Sequence, residues 1–375
     1  MDRWSRARSW FPVTDGMAYL NHAGVAPIST RVEEALGRYA AEATRRGARH
    51  YARFYDTEVE RVRTRVALLL GAHADEIAFV KNTTEGLGIV ACGLDWKRGD
   101  QVVVCDLEYP SNVYPWWHLR SKGVETMMLR TRDGHLPLER LEEALRLPRT
   151  RLLSISSVEF GSGARNDLEA IGRLCRERGV LFCVDAIQSL GCFPIDVERC
   201  GIDFLSADGH KWLLSVEGCG LFYCARRALG LLTPRVVGWR SVAENWNFDE
   251  YHFQLQPGAG RFEEGTTNTP GIFGLGAAID LLLEVGVEDI GERVLALTDR
   301  LVRGLLERNA RVLSPRSDGR ASGIVSFTLP DEPVEESTRR LVERGVFVVA
   351  RRGGVRASPH FYNSEEEIDR LLGAL

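Results

Sequence analysis

The sequence predicts an α/β protein with a large domain built on a mainly parallel, seven-stranded sheet between helices, and a smaller α+β domain beside it. Three observations carry this expectation. Seven short β-rich runs alternate with helical stretches between residues 75 and 225. One of those helical stretches leads straight into an apolar run, as a crossover between parallel strands must. Finally, 375 residues with 44% hydrophobic and 27% charged content suffice for sizeable cores in one or two domains.

The runs are IAFV (77–80), QVVVCD (101–106), VETMML (124–129), RLLSIS (151–156), VLFCVD (180–185), DFLSA (203–207) and GLFYC (220–224). They are apolar and β-branched with little alternation, the pattern of strands covered on both faces. Before the fifth, Asp167 caps DLEAIGRLCRERG, where Leu168, Ile171, Leu174 and Cys175 share a face and Gly179 closes the helix. A Gly/Pro/Thr-rich segment, QPGAGRFEEGTTNTPGIFG (256–274), interrupts this order and is followed by a long apolar helix pattern through LGAAIDLLLEVG. The large domain is therefore expected over 16–285. The smaller domain is expected over 286–375 together with 1–15, because the chain enters the sheet region only after AYLNHAG (18–24). Met127 and Met128 are expected in strand core, and Trp116 with Trp117 as packing near the entrance to a site.

Forty-eight basic and 52 acidic residues leave a net charge of -4, so no global positive field exists to hold nucleic acid or an anionic membrane. Neither partner is expected. The first sixteen residues lack the apolar core of a leader, and no stretch approaches the ~20 apolar residues needed to span a bilayer, so a cytoplasmic protein is expected. The cysteines at 92, 105, 175, 183, 192, 200, 219 and 224 form no CxxC and no zinc-ligand spacing. They read as reduced core thiols, and no metal is expected. The lysines are Lys81, Lys97, Lys122 and Lys211, which leaves 48 - 4 = 44 arginines. Chemistry that needs a titratable amine has four candidates.

In parallel sheets, ligands collect beyond the carboxyl ends of the strands. Asp185 ends the most hydrophobic run in VDAIQSLG, with Gln188 three residues later. Lys211 follows the next run in SADGHKWLLSVEGCG, between His210 and Trp212. Acid and amine thus project at the same edge of the sheet. A partly desolvated lysine loses its proton readily and can form a Schiff base with an aldehyde, while a carboxylate against a pyridine nitrogen keeps that ring electron-withdrawing. The pair describes a site for pyridoxal 5′-phosphate (PLP). Phosphate-binding candidates accompany it: Thr83 and Thr84 in NTTEGLG, where a strand gives way to a helix N-terminus; His210; and Thr266 with Thr267 in EEGTTNTPG.

With these motifs the chain resembles the class V aminotransferases of PLP fold type I, in particular the cysteine desulfurase, selenocysteine lyase and isopenicillin N epimerase group. The resemblance runs from YLNHAG through NTTEG, LEYPSN, VDAIQ, ADGHKW and FEEGTTNTPGIFGLGAAI to VRASPHFYNSEEEIDRL. It implies Lys211 as the Schiff-base lysine, Asp185 on the pyridine nitrogen, Gln188 on the ring hydroxyl, and Thr84 with His210 on the phosphate. It further implies that Thr266 reaches the phosphate of a neighbouring subunit, giving a homodimer with shared active sites. Arg356 would clamp the substrate α-carboxylate, with Asn21 and His22 near the substrate.

Departures from the family pattern bear on the reaction. The desulfurases carry a nucleophilic cysteine in a loop shortly before the RAS motif, whereas GVFVVARRGGVRASPHFYN is short and no cysteine follows Cys224. Tyr109 stands where many relatives stack a histidine on the ring. Asp208 replaces a frequent phosphate-binding serine and is expected to bond backbone groups. Arg240 and Arg351 are left open between binding a second carboxylate and forming surface ion pairs. The expected function is that of a PLP-dependent enzyme of aminotransferase type acting on a small α-amino acid by α-proton removal, and not a persulfide-forming desulfurase. The alternatives are a carbon–sulfur β-lyase, an amino-acid epimerase, or a lapsed PLP-binding scaffold.

Overall fold

The computed structural model describes residues 2–50, 55–317 and 319–375. After the two-residue strand β1 (Ala18–Tyr19), seven strands build the central sheet: β2 (Ile77–Val80), β3 (Gln101–Cys105), β4 (Glu125–Leu129), β5 (Thr150–Ser156), β6 (Leu181–Asp185), β7 (Phe204–Asp208) and β8 (Gly220–Cys224). Their order is β2-β8-β7-β6-β5-β3-β4. Neighbours are parallel except those of β8, which is antiparallel to both β2 and β7. Each strand lies within one residue of the run that predicts it.

Burial explains the composition of these runs. The strands β2, β7 and β8 are buried along their whole length, and β3 and β6 everywhere beyond their first residue. The exception is β4, which forms the edge of the sheet. Its residues are partly exposed, Met128 by 37%, so Met127 and Met128 lie on an edge strand and not in the core as expected. Sequence periodicity cannot tell a central strand from an edge.

Helices pack around this sheet. The helix Leu168–Arg178 starts where the Asp167 carboxylate accepts from Ala170 N (3.0 Å), ends at Gly179 in the left-handed region, and packs on β6. The helix Thr83–Gly93 lies against β7 at Gly86, where a Cβ would come within 2.3 Å of Ser206 Oγ. That close approach fixes the N-terminus of the helix at the carboxyl edge of the sheet. Among the described residues no single helix is long and apolar enough to cross a membrane.

A second sheet, ordered β12-β13-β10-β9, gathers β9 (Arg311–Val312), β10 (Val325–Thr328), β12 (Val349–Arg351) and β13 (Gly354–Ala357), all antiparallel. The strand β11 (Val346–Phe347) pairs in parallel with β1. Leu301, Phe327, Leu341, Val355 and Leu371 belong to a separate apolar cluster, which Ala18 and Leu20 join. Ala7 and Phe11 instead pack into the larger cluster around the central sheet. The N-terminal segment thus contributes to both cores, and Arg8 ties it to Glu367 near the C-terminus (2.7 Å).

Candidate active site

Beyond the carboxyl ends of β6 and β7 lies a cavity of about 320 Å³ whose wall includes Asp185, Gln188, Lys211, Thr83, Thr84 and Tyr109. Asp185 is the last residue of β6 and Asp208 the last of β7, so the topology itself delivers both carboxylates to this edge. A larger cavity of about 400 Å³ around Arg165, Phe193 and Ile171 contains no lysine among its lining residues. Of these two, the former alone joins acid and amine; a third pocket of about 120 Å³ also holds a lysine, Lys81, but one already paired with Glu85 (3.0 Å).

Asp185 is 2% exposed, and its Oδ1 accepts from Ile187 N (3.0 Å). Burial pushes its carboxyl up to about 6, a rise that the Lys211 charge opposes. Burial brings Lys211 down to about 8; Asp185 resists this and the positive charge of Arg356 adds to it. The ammonium lies 5.5 Å from the centroid of the Tyr109 ring, which meets Phe160 edge-on at 5.1 Å. Gln188 is held by two contacts: its Oε1 accepts from Trp212 Nε1 (3.0 Å) and its Nε2 donates to Ala23 O (3.1 Å). The second Nε2 hydrogen is left for the cavity.

At the other end, the helix Thr83–Gly93 presents its first residues to the cavity, with Asn82 Oδ1 capping Glu85 N (3.0 Å). Thr84 Oγ1 donates to Ser111 Oγ (2.8 Å), and Thr83 Oγ1 accepts from Asp208 N (3.1 Å). Asp208 Oδ1 accepts from Gly209 N (2.7 Å), the backbone bond expected of it. Its other oxygen lies 3.0 Å from His210 Nδ1, but off the line of a hydrogen bond, so that buried ring nitrogen has no partner.

On the third side stands Arg356, 2% exposed. It donates to Phe160 O (2.9 Å) and Asn21 Oδ1 (3.4 Å), while its Nε has no partner. Burial lowers it to about 10, and Arg351 adds to the effect. A buried guanidinium held by neutral oxygens alone is a site that calls for an anion.

The expected residues do not all converge. His22 turns away from the cavity into a cluster of Tyr19, Trp212, His360 and Tyr362. Its ring nitrogens are engaged by Ser358 O (2.8 Å) and Tyr362 Oη (2.6 Å), and burial lowers it to about 4, so it stands behind the site instead of beside the substrate. Thr266 does not line the cavity of Lys211 but the smaller pocket of about 120 Å³ with Thr267, Lys81 and Gly218. Arg240 pairs with Glu263 (3.4 Å), whereas Arg351 lines the cavity. Ser111, Phe160 and Ile187 also line it and were not singled out from the sequence. Phe160 and Ile187 each follow the end of a strand, a position that the apolar runs of the sequence mark.

None of the cavity-lining residues is a cysteine. Seven of the eight are buried, and Cys92 is partly so. Cys105 sits between two buried carboxyls, 3.7 Å from Glu108 Oε1 and 3.4 Å from Glu159 Oε1. Burial drives its thiol well up, raises Glu108 to about 7 against hydrogen bonds from Ser156 and Asn112, and together with Glu108 drives Glu159 well up.

The cavity's donor set fits PLP. It offers a carboxylate for a ring nitrogen, an amine of lowered basicity for an aldehyde, and hydroxyls at a helix N-terminus for a phosphate, beside the unsatisfied nitrogen of His210. Comparison with known proteins agrees. The model of the aminotransferase class-V family matches residues 18–371. A probable cysteine desulfurase of Methanothermobacter thermautotrophicus is 32% identical over 392 residues, covering 99% of this chain and 96% of that protein. The apo structure of a cysteine desulfurase from Thermococcus onnurineus superposes with a TM-score of 0.91 at 28% identity, covering 100% of this chain and 97% of that one. The cystine C–S lyase C-DES, solved with its product cysteine persulfide, gives 0.88 at 26% identity, covering 97% and 98%. A lysine-to-alanine mutant of C-DES, with glycine covalently linked to its PLP cofactor, gives 0.91 at 26%, covering 98% of each chain.

Proposed function

The chain belongs to the class-V aminotransferase family, whose cofactor is PLP, and from that premise we propose that it removes the α-proton of a small α-amino acid and carries out aminotransferase-type chemistry. When bound, the cofactor supplies an electron sink for the charge left on Cα. The protein's own residues do the rest. Arg356 binds the α-carboxylate and Asn21 orients that arginine; Asp185 holds the ring nitrogen, Gln188 the ring hydroxyl, and Thr84 with His210 the phosphate. Tyr109 covers the ring. Lys211, which burial brings to about 8, is suited to take and return a proton near neutral pH. The observation that carries this reading is the buried Arg356, which among the described residues is bonded by no carboxylate and which shares a cavity with Lys211 and Asp185.

β-Elimination from a sulfur-bearing amino acid is a second reading, favoured by the likeness to the cystine C–S lyase. Both begin with the same proton removal and neither requires a protein thiol. A persulfide on the enzyme is not expected, because the short turn between β12 and β13 carries no cysteine. The purified protein supplied with PLP should show a visible absorbance band that amino acids perturb. Lys211→Ala should lose borohydride-stable cofactor and at least ~10³-fold of turnover. Conversion of the cofactor to its amine form by L-amino acids supports transamination, and release of pyruvate and sulfide supports elimination. Trapping a protein-bound persulfide during turnover with cysteine overturns the thiol-free reading.

We also assign the protein to a homodimer with shared sites, with Thr266 serving the phosphate of the partner subunit. The support is that Thr266, in a hydroxyl- and glycine-rich loop, is not among the residues that line the cavity of Lys211 within one chain. Thr266→Ala should weaken PLP affinity without unfolding the subunit; an active monomer in sedimentation refutes the assignment.

A further inference from the structure

Arg351 lines the same cavity, and among the described residues no carboxylate pairs with it. Holding PLP and the α-carboxylate leaves this second arginine without a task. Its placement is fixed by the hairpin that carries it. The strands β12 and β13 run antiparallel with Val349 opposite Arg356 and Arg351 opposite Gly354. Residues opposite one another share a face, as do alternate residues on a strand, so Arg351 and Arg356 project from the same face as diagonal neighbours. Gly354, across from Arg351, offers no side chain to cover it.

The turn between the strands is the pair Arg352–Gly353, with φ +47° and +75°. Two positive φ values make the tight hairpin turn that leaves little backbone freedom. Arg352 anchors the tip: its guanidinium lies 5.0 Å from the centroid of the Phe160 ring and donates to Asp106 O (3.4 Å). Arg351 thus sits on a held backbone at the mouth of the cavity, with an exposed side chain. Its charge reaches inward, depressing the basicity of both Arg356 and Lys211. Two like charges on one face repel until anions lie between them, and one α-carboxylate answers only one of them.

We infer that Arg351 is a specificity-determining residue that selects α-amino acids carrying a second anionic group on the side chain. This rests on the proposed function, with Arg356 holding the α-carboxylate. A monoanionic substrate leaves Arg351 in water, whereas a dianion pairs with both arginines through their planar forks. Because Arg351 is exposed, the gain is moderate and falls with salt.

The test is spectrophotometric titration of the PLP-loaded enzyme with L-aspartate, L-glutamate and L-cysteine sulfinate against L-alanine and L-cysteine. In the wild type the dianionic amino acids should bind about tenfold more tightly than the neutral ones. Arg351→Gln should erase that preference, so that the ratio between the two ligand classes falls to about one; Arg351→Lys should restore part of it. Each variant is read as a ratio between ligands, so partial misfolding cancels. Equal binding of the two classes by the wild type overturns the inference, as does an Arg351→Gln enzyme that keeps the preference or weakens both classes alike. If the wild-type band responds to no amino acid, the proposed function falls and the inference with it, an outcome distinct from a response to neutral amino acids alone.

Discussion

Two groups of buried charge, both served by residues beside the central sheet, are built on opposite plans. Around Glu263, every charge faces another: Arg63 donates to both of its oxygens (2.6 and 3.2 Å), Arg240 lies 3.4 Å away, and Phe79 N adds a bond of 2.8 Å. Burial would raise Glu263, but Arg63, the Phe79 N–H and Arg240 together outweigh it and hold the carboxyl below its ordinary value. Around Lys211 the balance is reversed. Burial dominates there, leaving Asp185 too weak an acid, Lys211 too weak a base and Arg356 without a carboxylate. The first arrangement is complete in the folded chain and serves architecture. The second reaches balance only when a ligand supplies what is missing, so mismatch among buried charges marks the site better than burial does.

The sharpest way to break this contrast is to unbalance the balanced region. Glu263→Gln takes the buried carboxylate from Arg63, which keeps only the exposed Glu60 (3.0 Å), and from Arg240, and should cost about 3–5 kcal/mol in denaturant unfolding, with cofactor content per folded molecule unchanged. A loss under ~1 kcal/mol would remove Glu263 from its assigned place. The converse change comes next. Arg356→Met removes a charge the protein does not itself pair, so the cofactor-free protein should stay within about 1 kcal/mol of wild type, while amino-acid affinity measured by the visible band falls about 10–100-fold. A destabilised apoprotein with unchanged affinity would make Arg356 a second Glu263.

The last change concerns Glu159, whose Oε2 is buried without a partner, and its effect is smallest at low pH. Its folded pKa lies above the unfolded value near 4.5, so the folded state binds the extra proton, and wild-type stability falls as pH rises from there toward the folded pKa. Glu159→Gln keeps an acceptor for Asn166 and abolishes that penalty. Its advantage over wild type should therefore be smallest near pH 4.5 and grow as the pH rises toward the folded pKa. Parallel unfolding curves at pH 5 and pH 8 decide; a constant difference would mean that Glu159 is ionised throughout.

The sequence makes the sheet and the acid–amine pair legible because both rest on local patterns. Apolar runs mark the strands, and the residue that ends each run marks the edge where Asp185 and Lys211 meet. What escapes is whatever depends on distant neighbours. Nothing in YLNHAG announces that His22 will be engaged by Ser358 and Tyr362. The exposure of Met128 depends on β4 being last in the strand order, which the pattern of a single run does not encode. The Cys105, Glu108 and Glu159 cluster forms because β3 and β5 are neighbours in the sheet although β4 lies between them in sequence. Arg240 and Arg351 look alike as residues, and only folding sends one to Glu263 and the other to the cavity.

The thiols offer a further use. Alkylating reagents attack the thiolate, and burial both raises the buried thiols, Cys200 to about 11, and bars the reagent. Among the eight, Cys92 alone is partly open to solvent in the folded chain. A brief pulse of iodoacetamide followed by mass spectrometry should therefore sort molecules into two populations, one carrying at most a single adduct and one carrying up to eight. The ratio counts how many copies were open at the instant of the pulse, with no dye, tag or added fluorophore. Run with and without PLP, the same count converts cofactor binding into a measured suppression of opening.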